Sequence, residues 1–490
     1  MADNHRAASI YWHDYEAFGA DARRDRASQF AGIRTDLELN EIDAPLVIYC
    51  QPAVDMLPHP QACLITGISP QLARQRGLPE AEFIRQIHQQ LSQPQTCVAG
   101  YNSIRFDDEL TRQLLYRNFY DAYEREWKNG NSRWDIIDVV RLCHALRPEG
   151  IVWPKKDDGT VSFRLEALTA ANGISHQDAH DALADVRATI ALAGLIKSRQ
   201  PRLYDYAFAL RSKHRVNELV DVAAHTPVLH VSSMYPAQLG CLALTMPLAA
   251  HPVDNNGILL YDLRIDPAPW LDMTPEQLRQ SLFKPREALT TDEARLPIKV
   301  LHANRCPMLA SPAALTDARA EQLQIDMNRA RAHWQAIIDR PDFMARVSEA
   351  FAARPEFAPV TDPDFMLYAG GFFSAADKRL MARVRDMGPD QLATESAQLI
   401  AAFADVRLPD MLFRYRARNF PQSLTAPERR LWQTYCCQQL TRGADIPGAG
   451  PDLTSFNDML LAMQQSTVDD DQQRLLAELQ HWRDEVCQAC

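Results

Sequence analysis

No run of about 18 apolar residues occurs anywhere in the chain, so no membrane-spanning helix is expected. The opening residues, MADNHRAAS, lack the apolar stretch of a secretory signal, and a cytoplasmic protein without membrane attachment is the expectation. Cysteine is present without a pattern. The ten residues are scattered, and the closing CQAC is a lone Cys-x-x-Cys with no second pair and no histidine at zinc spacing. Reduced structural thiols are expected rather than a zinc site. Positive charge is also short: the formal net charge of −11 excludes a uniformly basic nucleic-acid binder. The deficit falls on the two ends of the chain, and the near-neutral middle third leaves room for a locally basic groove. Internal repeats and low-complexity segments are missing as well.

What is present is enough for several cores. A chain of 490 residues is too long for one, so two to four domains are expected, and 46% hydrophobic with 23% charged residues is a globular composition. Residues 8–18, 28–39 and 44–50 have the apolar and β-branched content of strands, punctuated by Gly, Pro and Asn. The spacing predicts helices over 79–91, 106–119, 135–146 and 180–197, with a short buried strand at 96–102. Residues after 198 look like a linker. Short strands then predict a β-rich unit to about 310, and a mostly helical remainder follows. The expected domains are 8–198, 202–355 and 356–490.

The chemistry starts at HDYEAFG. Asp14 and Glu16 lie two apart on a predicted strand, so both point to one face, where like charges repel and lose hydration. Alone, Asp-x-Glu is a weak signal that an edge-strand surface pair would also produce. Its company is stronger. In GYNSIRFDDEL, Asp107 or Asp108 stands where a strand gives way to a helix, a place a helix dipole alone would also favour. In HDALADV, His180 precedes Asp185 by five residues, about 500° of helix, so the two share a site only if His180 lies in the approach to the helix. Small Ala182 and Ala184 would let that helix come close to the strand. Divalent cations would neutralise such carboxylates. Four acids and a histidine suit a two-metal phosphoryl-transfer site, in which Mg²⁺ takes hard oxygen ligands and histidine takes a proton from water.

In this order, Asp-x-Glu, Phe-Asp and His-x₄-Asp, the sequence resembles the DEDDh 3′→5′ exonucleases. Among them it is similar to the bacterial exodeoxyribonuclease I family, through QFAGIRTD, GYNSIRFDDE, NSRWDIIDV, SFRLEALT, AHDALADV, GGFFS and YRARNFP. The resemblance implies an α/β ribonuclease-H-like exonuclease domain (a mixed sheet with flanking helices), an SH3-like β-rich domain and a helical C-terminal domain, forming a clamp around single-stranded DNA. It implies processive 3′→5′ hydrolysis to nucleoside 5′-monophosphates with two Mg²⁺ ions, Mn²⁺ being an alternative. Asp14, Glu16 and Asp185 would hold the metals, Asp107 would complete the acidic set, and His180 would orient or deprotonate the attacking water. Glu16 and Arg164 would contact the terminal nucleotide.

Further DNA contacts are expected at Arg112, Tyr123, Trp127 and Arg141. Tyr123 and Trp127 share a face if their stretch is helical, and aromatics there would stack bases without regard to sequence. Core packing is the competing role for that pair. Lys213 and Lys299 are candidates for phosphate contacts, or simply solvated lysines. Arg414, Arg416 and Arg418 would line the clamp or pair with acidic helices. Family members bind the acidic, Phe-ended tail of single-stranded DNA-binding protein, so that partner is implied. A monomer is expected. Two other functions compete: a DEDDh nuclease acting on RNA or mispaired 3′ ends, and an inactive DNA-binding scaffold, which would lack an acid or the histidine.

Overall fold

SIYWHDYEA is rich in large aromatic and apolar side chains, and it forms β1 (Ser9–Ala17), which is buried along nearly its whole length. It is a central strand. β2 (Ala27–Thr35) runs antiparallel on one side, and β5 (Thr96–Gly100) runs parallel on the other, so both edges of β1 are paired. Between β2 and β5 the chain forms β3 (Leu46–Cys50), α1 (Pro60–Thr66), α2 (Pro70–Arg76), β4 (Gly77–Leu78) and α3 (Glu80–Leu91). α4 (Asp107–Arg117) follows, then β6 (Ser132–Asp135), α5 (Ile136–Leu146), α6 (Leu165–Ala171) and α7 (Ala182–Arg199). The mixed sheet is ordered β4-β3-β2-β1-β5-β6. This computed structural model describes residues 8–176, 181–284, 295–352, 359–441, 450–466 and 469–488.

The chain divides into two compact units that do not follow its order. Unit 1 takes residues 1–132, 176–187 and 358–490, and unit 2 takes 133–175 and 188–357. In unit 1, α3 and α4 place Phe83, Ile84, Ile87, Leu91, Leu110 and Leu114 against Tyr11, Tyr15, Phe30 and Val98 of the sheet. Each such side chain contributes about 1.5–3 kcal/mol on burial. The helices Leu453–Ser466 and Asp470–Gln488 pack Phe456, Leu460, Leu476, Leu479 and Trp482 onto Phe18, Leu57, Cys63, Ile68 and Ala73. The helix Leu408–Asn419 settles the role of the three arginines of FRYRARNFP. Arg418 donates to Asp55 and Asp364 at 2.7 and 2.6 Å, Arg416 to Glu428 at 2.7 Å, and Arg414 pairs with Asp362 and Asp364. They are structural cations. Nearby, Glu80 accepts from Arg26, Arg117 and Asn118 at 3.2, 3.1 and 2.9 Å.

Unit 2 holds a second sheet of β7 (Val228–Val231), β8 (Leu242–Ala250), β9 (Gly257–Asp262), β10 (Ile298–His302) and β11 (Leu309–Ala310). It is antiparallel throughout, ordered β10-β9-β8-β7-β11. Val216, Val228, Leu260, Leu301 and Leu309 form the core on one face.

Three expectations change. The stretch read as a linker is helical: α7 runs to Arg199, and α8 (Pro201–Ala209) begins with Pro201 in the first turn, where proline loses no hydrogen bond. Tyr123 and Trp127 flank a 3₁₀ turn, Glu124–Glu126, and do not share an α-helical face. Eight described cysteines are free, seven of them buried, but Cys437 is disulfide-bonded, against the expectation of reduced thiols. Among the described residues no helix is long and apolar enough to cross a membrane.

Candidate active site

Three separated stretches of sequence meet in unit 1. β1 presents Asp14 and Glu16 on one face, and the start of α7 brings Asp185; one oxygen from each lies within 4.8 Å of the others. Asp107 is the first residue of α4, and its Oδ1 accepts from the backbone N–H of Tyr15, between the two strand acids, at 3.1 Å. Gly100 makes that approach possible. A Cβ there would stand 2.8 Å from the His13 carbonyl oxygen and from Ser103 Cβ, so only glycine lets the turn after β5 fold against β1. The structure also separates the two neighbouring aspartates. Asp108 turns away and pairs with buried Arg125 at 2.7 Å, and Thr111 Oγ1 donates to the Asp107 carbonyl at 2.7 Å.

The start of α7 is tied to the sheet by Gln29, the strand partner of Glu16. Gln29 Nε2 donates to Asp181 Oδ1 at 3.2 Å, and its Oε1 accepts from the Ala182 N–H at 3.4 Å. Ala182 is fully buried, as the small-residue pattern requires.

Burial and then the charges of Asp107, Glu16, Asp185 and Asp181 hold Asp14 well above the ordinary carboxylate range. Glu16 is pushed up to about 8, first by burial and then by Asp185, Asp107 and Asp181. These hard oxygen donors, crowded together so that burial and mutual repulsion oppose their charged forms, fit a divalent cation.

The neighbouring histidines divide. His13 is a core residue: burial lowers it to about 4, and its Nδ1–H donates to the Ala99 carbonyl at 3.1 Å. His180 lies outside the described residues. His176 closes ANGISH, a stretch that also carries the family resemblance, and puts Nε2 2.5 Å from Asp185 Oδ1. A lone histidine in a loop carries no spacing signal, so sequence assigned it no role.

The expected DNA contacts are dispersed. Arg112 is held by Glu126 through two bonds of 2.7 and 3.0 Å and lies over the Tyr123 ring at 5.5 Å, so it is a paired cation. Trp127 is 65% exposed. In unit 2, Arg164 is exposed just before α6. Arg141 pairs with Asp138 at 2.6 Å, Lys213 bonds Asn256 at 2.7 Å, and Lys299 bonds Ser232 at 2.5 Å. Phe372, 84% exposed and edge-on to Tyr123, is an aromatic that the sequence reading did not assign beyond quoting GGFFS.

Comparison with known proteins covers nearly the whole chain. Residues 11–193 match an exonuclease family, 211–353 the exonuclease I SH3-like domain, and 361–486 the exonuclease I C-terminal domain. The exodeoxyribonuclease I of Escherichia coli K12 is 46% identical over 441 residues, 90% of this chain and 92% of its own. A moderately thermophilic exonuclease I from Methylocaldum szegediense superposes with a TM-score of 0.93 at 49% identity, over 98% of this chain and 100% of that one. A zinc-bound E. coli exonuclease I complex with single-stranded DNA gives 0.92 at 43%, with the same coverage. A structure of SSB/exonuclease I in complex with an inhibitor gives 0.88 at 42%, again covering 98% and 100%. The fold is thus an exonuclease domain on a mixed sheet, followed by SH3-like and helical C-terminal domains.

Proposed function

The chain belongs to the exodeoxyribonuclease I family, and from that premise we propose that it degrades single-stranded DNA from the 3′ end to nucleoside 5′-monophosphates. The observation that carries this is the meeting of Asp14, Glu16 and Asp185, one oxygen of each within 4.8 Å of the others, with Asp107 bonded to the Tyr15 N–H between the two strand acids. Asp14, Glu16 and Asp185 would hold two divalent ions, Mg²⁺ by the hardness of the donors, with Mn²⁺ able to replace it. Bound there, the metals would acidify the attacking water and stabilise charge on the leaving oxygen. Asp107 keeps the acidic set in register through the Tyr15 N–H. His180 takes the proton from the attacking water, the task of a base near neutral pKa. Glu16 and Arg164 hold the terminal nucleotide.

Trp127 offers an exposed face for stacking, with Tyr123 held beneath Arg112 beside it. Arg141, Lys213 and Lys299 complete the strand track. We assign the chain the three segments 8–198, 202–355 and 356–490, a monomeric state, a cytoplasmic location and an interaction with the tail of single-stranded DNA-binding protein.

The test uses a 5′-labelled DNA strand with Mg²⁺ or EDTA, beside a duplex and an RNA of the same sequence. Wild type should shorten the single strand from its 3′ end only with metal, and Asp14→Ala and His180→Ala should not. Faster loss of the RNA would overturn the substrate class. Binding without shortening would make the chain a scaffold.

A further inference from the structure

The four acids are not anchored alike. Asp14 and Glu16 stand on a strand paired on both sides, and Asp107 is fixed by the Tyr15 N–H. Asp185 stands near the start of a helix, and its side chain is 20% exposed. Its Oδ1 lies 2.5 Å from Nε2 of His176, nine residues earlier, whose ring is 4% exposed. A carboxylate offers about four lone-pair positions, so one bond from an imidazole leaves the others for a cation. Carboxylates that bind metals commonly need such a partner to fix their orientation.

We propose that His176 is the positioning residue for Asp185, holding the carboxylate in the orientation that completes the metal site. This rests on the metal-site reading above and adds a part to it. The Gln29 bonds to Asp181 and Ala182 fix the backbone of the helix start, and the His176 bond fixes the Asp185 side chain. The two roles are separable: removing His176 leaves the helix in place and frees the carboxylate to rotate.

The experiment is calorimetric titration of Mn²⁺ into the DNA-free full-length protein, comparing wild type, Asp14→Asn, His176→Ala and His176→Gln. Pulsed electron paramagnetic resonance on the loaded wild type accompanies it. His176→Ala should bind Mn²⁺ about 10- to 100-fold more weakly. His176→Gln, which keeps an N–H donor, should recover most of the loss, and the resonance should show no nitrogen bonded to manganese. Wild-type affinity in His176→Ala would overturn the assignment. So would equal weakening in both variants, which would mean that ring packing matters and not the bond. A directly bonded nitrogen lost on substitution would make His176 a ligand. If His176→Ala does not fold, His176→Phe, which fills the space of the ring without an N–H donor, takes its place under the same criterion. Failure of wild type itself to bind Mn²⁺ would overturn the metal site and this proposal together, whereas loss confined to Asp14→Asn would overturn this proposal alone.

Discussion

Glu16 and Glu80 are both buried glutamates of unit 1, yet their carboxyl groups are driven in opposite directions. Glu16 is pushed up to about 8 and Glu80 is drawn down to about 2. Burial raises both. The difference is what surrounds them. Arg117, Arg26 and Arg418 act on Glu80, whereas the charges acting most strongly on Glu16 among the described residues are those of Asp185, Asp107 and Asp181. Asp55 and Asp364, beside Arg418, are lowered like Glu80, and Asp14 is raised like Glu16. A buried acid whose counter-charge is in the chain is part of the scaffold. One surrounded by other acids, as Asp14 and Glu16 are, is a place for a cation that arrives from outside.

The largest test of this contrast is Asp14→Asn. Removing one repelling charge should leave the metal-free protein as stable as wild type or more so, while DNA shortening falls by roughly a thousandfold or more. Melting in EDTA and product release from labelled DNA read the two effects. A matching loss of stability would place Asp14 with the scaffold acids.

Next comes Arg418→Ala. It removes the cation that Asp55 and Asp364 share, leaving Asp55 to Arg26 at 3.9 Å and Asp364 to Arg414 at 3.2 Å, and should cost up to about 3–5 kcal/mol, read by urea unfolding, with turnover per folded molecule unchanged. Arg85, whose pairing with Glu82 is exposed, is the control, and its replacement by Ala should cost no more than about 1 kcal/mol.

The smallest effect is a pH slope with a definite sign. Glu80 binds its proton less readily folded than unfolded. It therefore contributes stability above its ordinary value of 4.5, and this is lost as pH falls towards about 2. Glu16 binds its proton more readily folded. It contributes stability that is full below 4.5 and is lost as pH rises through about 8. In EDTA the melting temperature should decline between about pH 5 and 8, and saturating Mg²⁺ should flatten that decline. A slope indifferent to metal would break the contrast.

Much of this was legible because it depends on local rules. Alternating and 3.6-residue patterns located β1, β2, α3, α4, α5 and α7, and the strand rule put Asp14 and Glu16 on one face. The spacing of His180 and Asp185 pointed to the start of a helix near the strand, and Asp185 does stand there. What sequence could not separate were choices made by distant partners. Asp107 and Asp108 are equivalent in a helix's first turn until Tyr15 and Arg125 claim one each. Arg414 and Arg418 lie four apart on one helical face and share Asp364, while Arg416 faces Glu428, and none of these acids is close in sequence. α1 and α2 have seven residues each, too few for a periodic signal, and both begin at a proline that reads equally well as a turn.

The helices over residues 453–488 cover Phe18, Leu57, Cys63, Ile68 and Ala73, so one part of the core joins the first sixth of the chain to residues more than 370 positions later. Contacts of such long separation form late. On the ribosome the strand bearing Asp14 emerges early, but the apolar side of α1 and α2 stays open until the final helix is made. A nascent chain that stops short of residues 453–488 has an unfinished core, so assembly of this unit waits for those two helices to be made.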